Sequence, residues 1–577
     1  MHIARMPKEG VFFAPMRHTL FLWIILLLSG VAYFSGLQLN VMDVDSAQYA
    51  SISREMAESG EYLEIQSRGR DYLDKPPLLF WASATSFSLF GVHNWSFKLL
   101  PFLFLMASIY STYSLGRLIR DHQTGLAAAL ILGSCQAYFL FSMDLRTDTM
   151  LTACVIISVL QLYRFMLSSN WRDLLWGGVF IGLAMLAKGP LGLIIPAMAL
   201  GGHWLINRDW KSIFKWQWLV VIAVIALVLA PMSVGLYHQF DLQTEKVTFM
   251  PSPNGLKEVV GVSGLRFFFW EQSFGRITGE NVWKDSSGPF FFVHTFLWSF
   301  MPWALIAVLA LFKKLHSSFS SLFSTGKGDF LLLAGFILPF IALSTSQYKL
   351  PHYIFPLYPF AALLSAEFLV ETFRSQNLFF RRISNIASFL PLIVSIALCA
   401  VLLFWVFDTP SVLRYLFLPI ALISIWAYFQ KNRLYGILFS LALVSALTNI
   451  VLNTHFYPLL LKYQKGSELA FLAKSLGANK ENTAYYKNFS FSFDYYMQSA
   501  VPVRGGMDAI EKEDRYLFSS EEGYLEMQNA HLPIDTAIQF LSYPITELSP
   551  QFLNPKTRES TLVPMYLVVL DNPKDVL

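Results

Sequence analysis

The chain has 577 residues, of which 55% are hydrophobic and only 14% charged, with a formal net charge of +4 and a mean hydropathy of +0.47. Soluble domains carry ~25% charged residues, so this composition excludes a wholly water-soluble protein. A net charge this small also gives no footing for a nucleic-acid partner, and where the charges fall matters more than their sum.

The first apolar run, about 20–39, has a basic flank (Arg5, Lys8, Arg17) and no small-residue cleavage site after it. It is expected to be a retained span rather than a signal peptide. Further runs at about 99–118, 124–142, 149–167, 174–187, 190–206, 217–237, 289–312, 329–345, 353–372, 384–406, 415–429 and 434–452 have the width of membrane helices. That makes about thirteen. Lys and Arg mark cytoplasmic ends, and the alternation fits this count. Arg117 and Arg120, Arg164 and Arg172, Arg208, Lys211 and Lys215 fall on one side, with Lys313, Lys314, Arg374, Arg381, Arg382, Lys431 and Arg433. The other side's short loops hold single charges such as Arg146, Lys188, Lys349 and Arg414. The alternation holds only if the apolar stretch Pro76–Val92 does not cross, so it is assigned to a juxtamembrane helix on the outer leaflet. Residues from about 40 to 98 then form one large outer loop, and about 238–288 a second.

After about residue 452 the composition turns polar, while 562–570 (LVPMYLVVL) has the look of a buried strand. The expected architecture is mainly α and polytopic. Residues 1–452 form a membrane domain with juxtamembrane helices in its first outer loop, and 453–577 a small α/β domain outside the cytoplasm. Cys135, Cys154 and Cys399 lie in apolar runs and imply no disulfide framework.

Four polar motifs fall on the outer side. The first opens the large loop, Asp43-Val-Asp45-Ser46-Ala-Gln48-Tyr49. Asp45-Ser46 is either the N-cap of a surface helix or a functional acid, and Asp43 reads as a solvated acid. The second is Tyr72-Leu-Asp74-Lys75-Pro76-Pro77-Leu78, where the prolines can start a helix and the ammonium is a natural phosphate partner. The third, Asp144-Leu-Arg146-Thr-Asp148, sets acids and a base against apolar helix ends, which is costly unless they are paired or functional; helix capping is the alternative for Asp148. The fourth is Ser346-Gln-Tyr348-Lys349-Leu-Pro351-His352-Tyr353, in which Tyr353 is either an interfacial aromatic or part of a site.

In order and spacing these motifs resemble the GT-C membrane glycosyltransferases, within the branch holding the bacterial aminoarabinose lipid A transferase and the protein O-mannosyltransferase-like enzymes (glycosyltransferase family 39-like). The resemblance covers roughly residues 18–360. It implies a transferase that moves a sugar from a polyprenyl phosphate to an extracytoplasmic lipid, glycan or protein hydroxyl. It also implies residence in a bacterial cytoplasmic membrane with the active site outside. By similarity Asp45 is the acid at the acceptor and Asp148 a second acid of the same cavity. Lys75 matches the lysine at the lipid phosphate, with Tyr72 beside it, and Tyr353 a tyrosine at the donor site. Arg146, Arg276 and Lys349 are further cations for the donor phosphate. The chain departs from the pattern at Ser46 and Gln48, where the family usually has Glu and often Arg. It departs again at Glu271-Gln272, where the aminoarabinose enzymes tend to have Glu-His. These departures bear on substrate more than on reaction type. Two acids leave a divalent metal open, although no ligand set is recognisable, and there is no P-loop or GxGxxG for a nucleotide. The alternative is a transporter or flippase of lipid-linked sugars.

Overall fold

The computed structural model describes residues 16–252, 255–272, 275, 287–322, 328–375 and 377–571. Helices dominate. In chain order the first nine are α1 (Met16–Ser35), α2 (Asp45–Ser59), α3 (Leu78–Phe90), α4 (Asn94–Ile119), α5 (His122–Gly133), α6 (Gln136–Met143), α7 (Thr147–Ser168), α8 (Trp171–Lys188) and α9 (Leu191–Ile206). Later ones include Gln217–Leu236, Leu331–Ser344, Tyr358–Ser375, Leu378–Val401, Leu413–Tyr428 and Arg433–Val451. Among the described residues seven helices are long and apolar enough to cross a membrane, or eight if the bent pair α5–α6 is one span. Four other apolar helices, α3 among them, are shorter.

Two apolar runs expected to be straight are broken. The run over 124–142 bends by 51° between α5 and α6, and the run over 289–312 divides into Phe291–Ser299 and Ala304–Leu322. Pro302, lacking an N–H, cannot continue a helix. The two breaks face each other and supply each other's missing bonds. Gln136 N donates to Met301 O at 2.9 Å, and the Trp303 indole donates to Ser134 Oγ at 2.8 Å. Buried backbone groups freed from a helix need such partners in an apolar surround. Close packing elsewhere depends on small residues. A Cβ on Gly116 of α4 would sit 2.9 Å from Gly125 Cα of α5, so neither helix tolerates a larger side chain there without moving.

The first loop folds into α2 and α3 with a small hairpin, β1 (Gln66–Ser67) and β2 (Arg70–Asp71), between them. α2 ends at Gly60, whose φ of +73° supplies the left-handed cap and whose N–H returns to Met56 O. Pro77 stands at the N-cap position, just before α3. A second hairpin, β3 (Val247–Ser252) with β4 (Gly255–Val260), lies in the later loop. The C-terminal residues add β5 (Thr483–Tyr486), β6 (Val503–Arg504), β7 (Tyr516–Ser520), β8 (Ile534–Ser542) and β9 (Val563–Leu570). They form one mixed sheet in the order β6-β5-β7-β9-β8. The stretch 562–570 supplies β9, whose last four residues are buried.

This sheet layer is tied to the first loop through the helix Phe491–Met497. Asp43 corrects the solvated-acid expectation. Its carboxylate accepts from Ser490 Oγ at 2.8 Å, Ser492 N at 2.9 Å and Ser492 Oγ at 2.6 Å. Burial pushes its carboxyl above the usual range, against those hydrogen bonds and the charge of Lys465. Val41 N donates to Tyr496 Oη at 2.7 Å, and Arg68 pairs with the buried Asp494. Without its guanidinium, Asp494 would keep only Tyr485 Oη at 2.9 Å and Val501 N at 3.1 Å. Arg68→Met should therefore cost ~1.5–3 kcal/mol, the value of a charge-assisted bond in a buried setting. The thermal midpoint of the detergent-solubilised protein reads this, and an unchanged midpoint would show that the pair does not hold the sheet layer to the loop.

Candidate functional site

The N-terminus of α2 brings Asp45 to one wall of a cluster built from four chain segments. Neither Asp45 nor Asp148 caps its helix. α2 has Val44 before it and α7 has Arg146, and neither helix start carries a side-chain cap bond from Asp45 or Asp148. Both acids hold cations instead. Arg146, just before α7, donates through Nη1 to Asp45 Oδ2 at 2.8 Å, and through Nε and Nη2 to Asp144 Oδ2 at 3.0 and 2.9 Å. Burial works against the Arg146 charge, but Asp144 and Asp45 outweigh it and its pKa rises. Asp45 stays 43% exposed despite this partner, so its carboxylate is both charge-paired and reachable.

Asp148 lies in the first turn of α7 and is almost wholly buried. The ammonium of Lys188, at the end of α8, sits 2.5 Å from Asp148 Oδ1, and His352 Nε2 is 3.8 Å from Oδ2. Lys188 Nζ also lies 4.4 Å from the centroid of the Tyr353 ring, a cation–π distance. Tyr353 is buried rather than at an interfacial belt, carried by the 3₁₀ turn Pro351–Leu357.

Lys75 projects just before α3. Its Nζ donates to both Asp74 oxygens at 2.9 Å and borders a narrow cleft of about 20 Å³ lined by Tyr72, Pro77, Leu236, Phe267, Phe268 and Gln272. Gln272 donates to the Asp74 carbonyl, so the position where the chain departs from the aminoarabinose pattern helps place Asp74. Two buried phenols link the Lys75 motif to the acids. Burial raises the pKa of Tyr49, and Asp45, Asp74 and Asp148 raise it further. Burial also raises that of Tyr72, followed by Asp74, Tyr49 and Asp45. Both remain protonated donors among carboxylates at neutral pH.

Asp45, Tyr72, Lys75, Arg146, Asp148 and Tyr353 therefore share one region. Lys349 is buried nearby in sequence to Tyr353 and donates to Ser287 O at 3.1 Å. Arg276 lies outside the described residues. Reasoning from sequence gave no role to Lys188, taken only as a loop charge before Gly189-Pro190, nor to Tyr49, Asp74, Asp144 and His352, although all four stand inside the quoted motifs. The signal for Lys188 was available: a lone cation at an apolar helix end needs a partner. Among the described residues no three His, Cys, Asp or Glu side chains group closely enough to hold a metal ion.

Comparison with known proteins bears on the fold. A family model described as dolichyl-phosphate-mannose-protein mannosyltransferase matches residues 74–235. The solved structure of ArnT from Cupriavidus metallidurans bound to undecaprenyl phosphate superposes with a TM-score of 0.68, covering 96% of this chain and 98% of that one at 16% identity. The fold is that of the GT-C membrane glycosyltransferases, in an integral membrane protein. Within that class the chain resembles the ArnT-like branch. It is 26% identical over 362 residues to the undecaprenyl phosphate-alpha-4-amino-4-deoxy-L-arabinose arabinosyl transferase of Pseudomonas aeruginosa (strain UCBPP-PA14), covering 62% of this chain and 61% of that protein. To the transferase of the same description from Edwardsiella ictaluri (strain 93-146) it is 27% identical over 343 residues, covering 58% and 56%. The match thus spans about three fifths of those relatives' length.

Proposed function

We propose that this protein transfers a sugar from a polyprenyl-phosphate donor to a hydroxyl of an extracytoplasmic lipid, glycan or protein. The observation that carries the proposal is the convergence of Asp45, Lys75 and Asp148 around Tyr49 and Tyr72, beside a cleft with aromatic walls. The relatives described as acting on an undecaprenyl phosphate sugar supply the donor class.

In the proposed reaction the bond between the anomeric carbon and the phosphate oxygen breaks as the acceptor oxygen bonds to that carbon. The acceptor proton passes to Asp45, and the phosphate monoester leaves with added negative charge. A carboxylate base contributes ~10²–10⁴-fold. Cations fixed near the departing oxygen act where charge develops, and Lys75 is assigned there. Arg146 orients Asp45, while Lys188, Tyr353 and Lys349 complete the donor side. The chain is assigned thirteen spans, with the site and residues from about 453 onward on the outer face of a bacterial cytoplasmic membrane. A C-terminal reporter that is active only when exported should give signal, and a cytoplasmic signal would break this topology.

The bent pair α5–α6 favours a second reading, since transporters use discontinuous helices. That bend is satisfied by protein partners at Trp303 and Met301, however, and the acids and cations around Asp45 and Asp148 lie at the end of the bundle, not at its middle.

Lys75 tests the donor assignment. If it only flanks the start of α3, Lys75→Arg should be nearly neutral. If it binds the phosphate as a compact charge, the planar guanidinium fits poorly. Activity should then fall strongly with Arg, and ~10- to 100-fold with Ala for a lost bond of ~1.5–3 kcal/mol. Transfer rate and affinity for the polyprenyl phosphate alone are the readouts, and wild-type values in both variants would remove Lys75 from the site.

A further inference from the structure

The end of the bundle remote from Asp148 holds a second concentration of charge. The helix Tyr358–Ser375 starts just after His352 and has 18 residues, roughly 27 Å at 1.5 Å per residue, close to the hydrocarbon thickness of a bilayer. Around its far end four cations are neutralised by carboxylates. Glu367 takes Arg120 and Lys314, Glu371 takes Lys313, and Asp121 takes Arg374.

Four others are treated differently. Arg381 and Arg382, at the start of Leu378–Val401, and Lys431 and Arg433, in the turn leading to Arg433–Val451, line one hollow of about 600 Å³. No acid is among its lining residues, and among the described residues none of the four makes an ion pair. Two are held in place by the backbone. Arg381 Nη2 donates to Phe373 O at 2.6 Å, and Arg433 Nη1 to Tyr428 O at 2.7 Å. Arg381 Nε and Asn385 Oδ1 are buried there without a hydrogen-bond partner. A positive end of the bundle requires only cations; it does not require four of them unpaired around one hollow with an open donor and acceptor.

The hollow also has an apolar continuation. Its rim includes Leu378, 68% exposed, and along the same helix Ile386, Leu390 and Val394 are exposed at intervals of one turn. A free phosphate would use only the cations, whereas an amphiphile would use both surfaces. We propose that this hollow binds an anionic glycerophospholipid. Its phosphodiester sits among Arg381, Arg382, Lys431 and Arg433, and an acyl chain lies along the Ile386–Leu390–Val394 strip. Basic pockets between membrane helices take such headgroups. The site is separate from the cluster around Asp45 and stands whether or not sugar transfer is confirmed.

The test is retention of phosphatidylglycerol against phosphatidylcholine by the purified full chain, read by native mass spectrometry. The variant is Arg382→Gln/Lys431→Gln, which removes the two of the four cations that make no hydrogen bond among the described residues. The control is Arg172→Gln/Lys211→Gln, which removes two exposed charges at the same end of the bundle. At ~1 kcal/mol for each basic residue near a surface, each lost cation should weaken retention about fivefold, and the pair ~20-fold or more. Phosphatidylcholine should be unaffected, the control should behave as wild type, and millimolar inorganic phosphate should not displace the lipid. Three results would overturn the proposal: equal retention in the variant, an equal loss in the control, or displacement by inorganic phosphate, which would mark a free-anion site.

Discussion

Asp45→Asn should lower turnover by ~10²–10⁴-fold, the contribution of a general base, while leaving the protein folded and inserted. The side chain is 43% exposed and among the described residues its one bonded partner is Arg146, so the amide keeps the shape and removes the proton acceptor. Arg146 retains Asp144 as its other partner, which limits the structural cost. Turnover should fall with little change in donor affinity or thermal midpoint. Near-normal turnover by the purified variant would take Asp45 out of the chemistry.

Asp148→Asn should be severe for a different reason. Its carboxylate is the buried partner of Lys188, and removing one member of a buried pair costs ~3–5 kcal/mol because the other charge is stranded. The single variant therefore loses stability and activity together and does not separate the two roles. Asp148→Asn/Lys188→Met does, since no charge is left unpaired. It should regain most of the thermal stability and remain inactive if the pair helps hold the donor phosphate beside Tyr353. Recovery of both would reduce the pair to a structural tie between α7 and α8.

Much of the membrane framework was legible because it is local: apolar runs long enough to span, and prolines at 76 and 77 just before α3. The breaks near Ser134 and Met301 had local signals in Ser134, Gln136 and Pro302, but their pairing was hidden, since each break is satisfied only by the other. Asp45, Lys75 and Asp148 were visible as motif residues, but their partners were not. Lys188 stands 40 residues from Asp148, and the serines that hold Asp43 lie 447 and 449 residues away in a segment whose composition says only that it is polar. Capping and a functional role both stood open for Asp45 and Asp148; each carboxylate holds a cation rather than capping its helix, and no spacing rule reports such a contact between distant segments.

The most direct test of sugar transfer uses the purified chain in liposomes with a polyprenyl-phosphate sugar labelled in both sugar and lipid, plus an envelope extract as acceptor. The account predicts that the sugar label moves to the extract while free polyprenyl phosphate accumulates in equal amount, and that neither happens with Asp45→Asn. Intact donor recovered in the opposite leaflet, with the sugar–phosphate bond unbroken and transport unaffected by Asp45→Asn, would contradict it and identify a transporter.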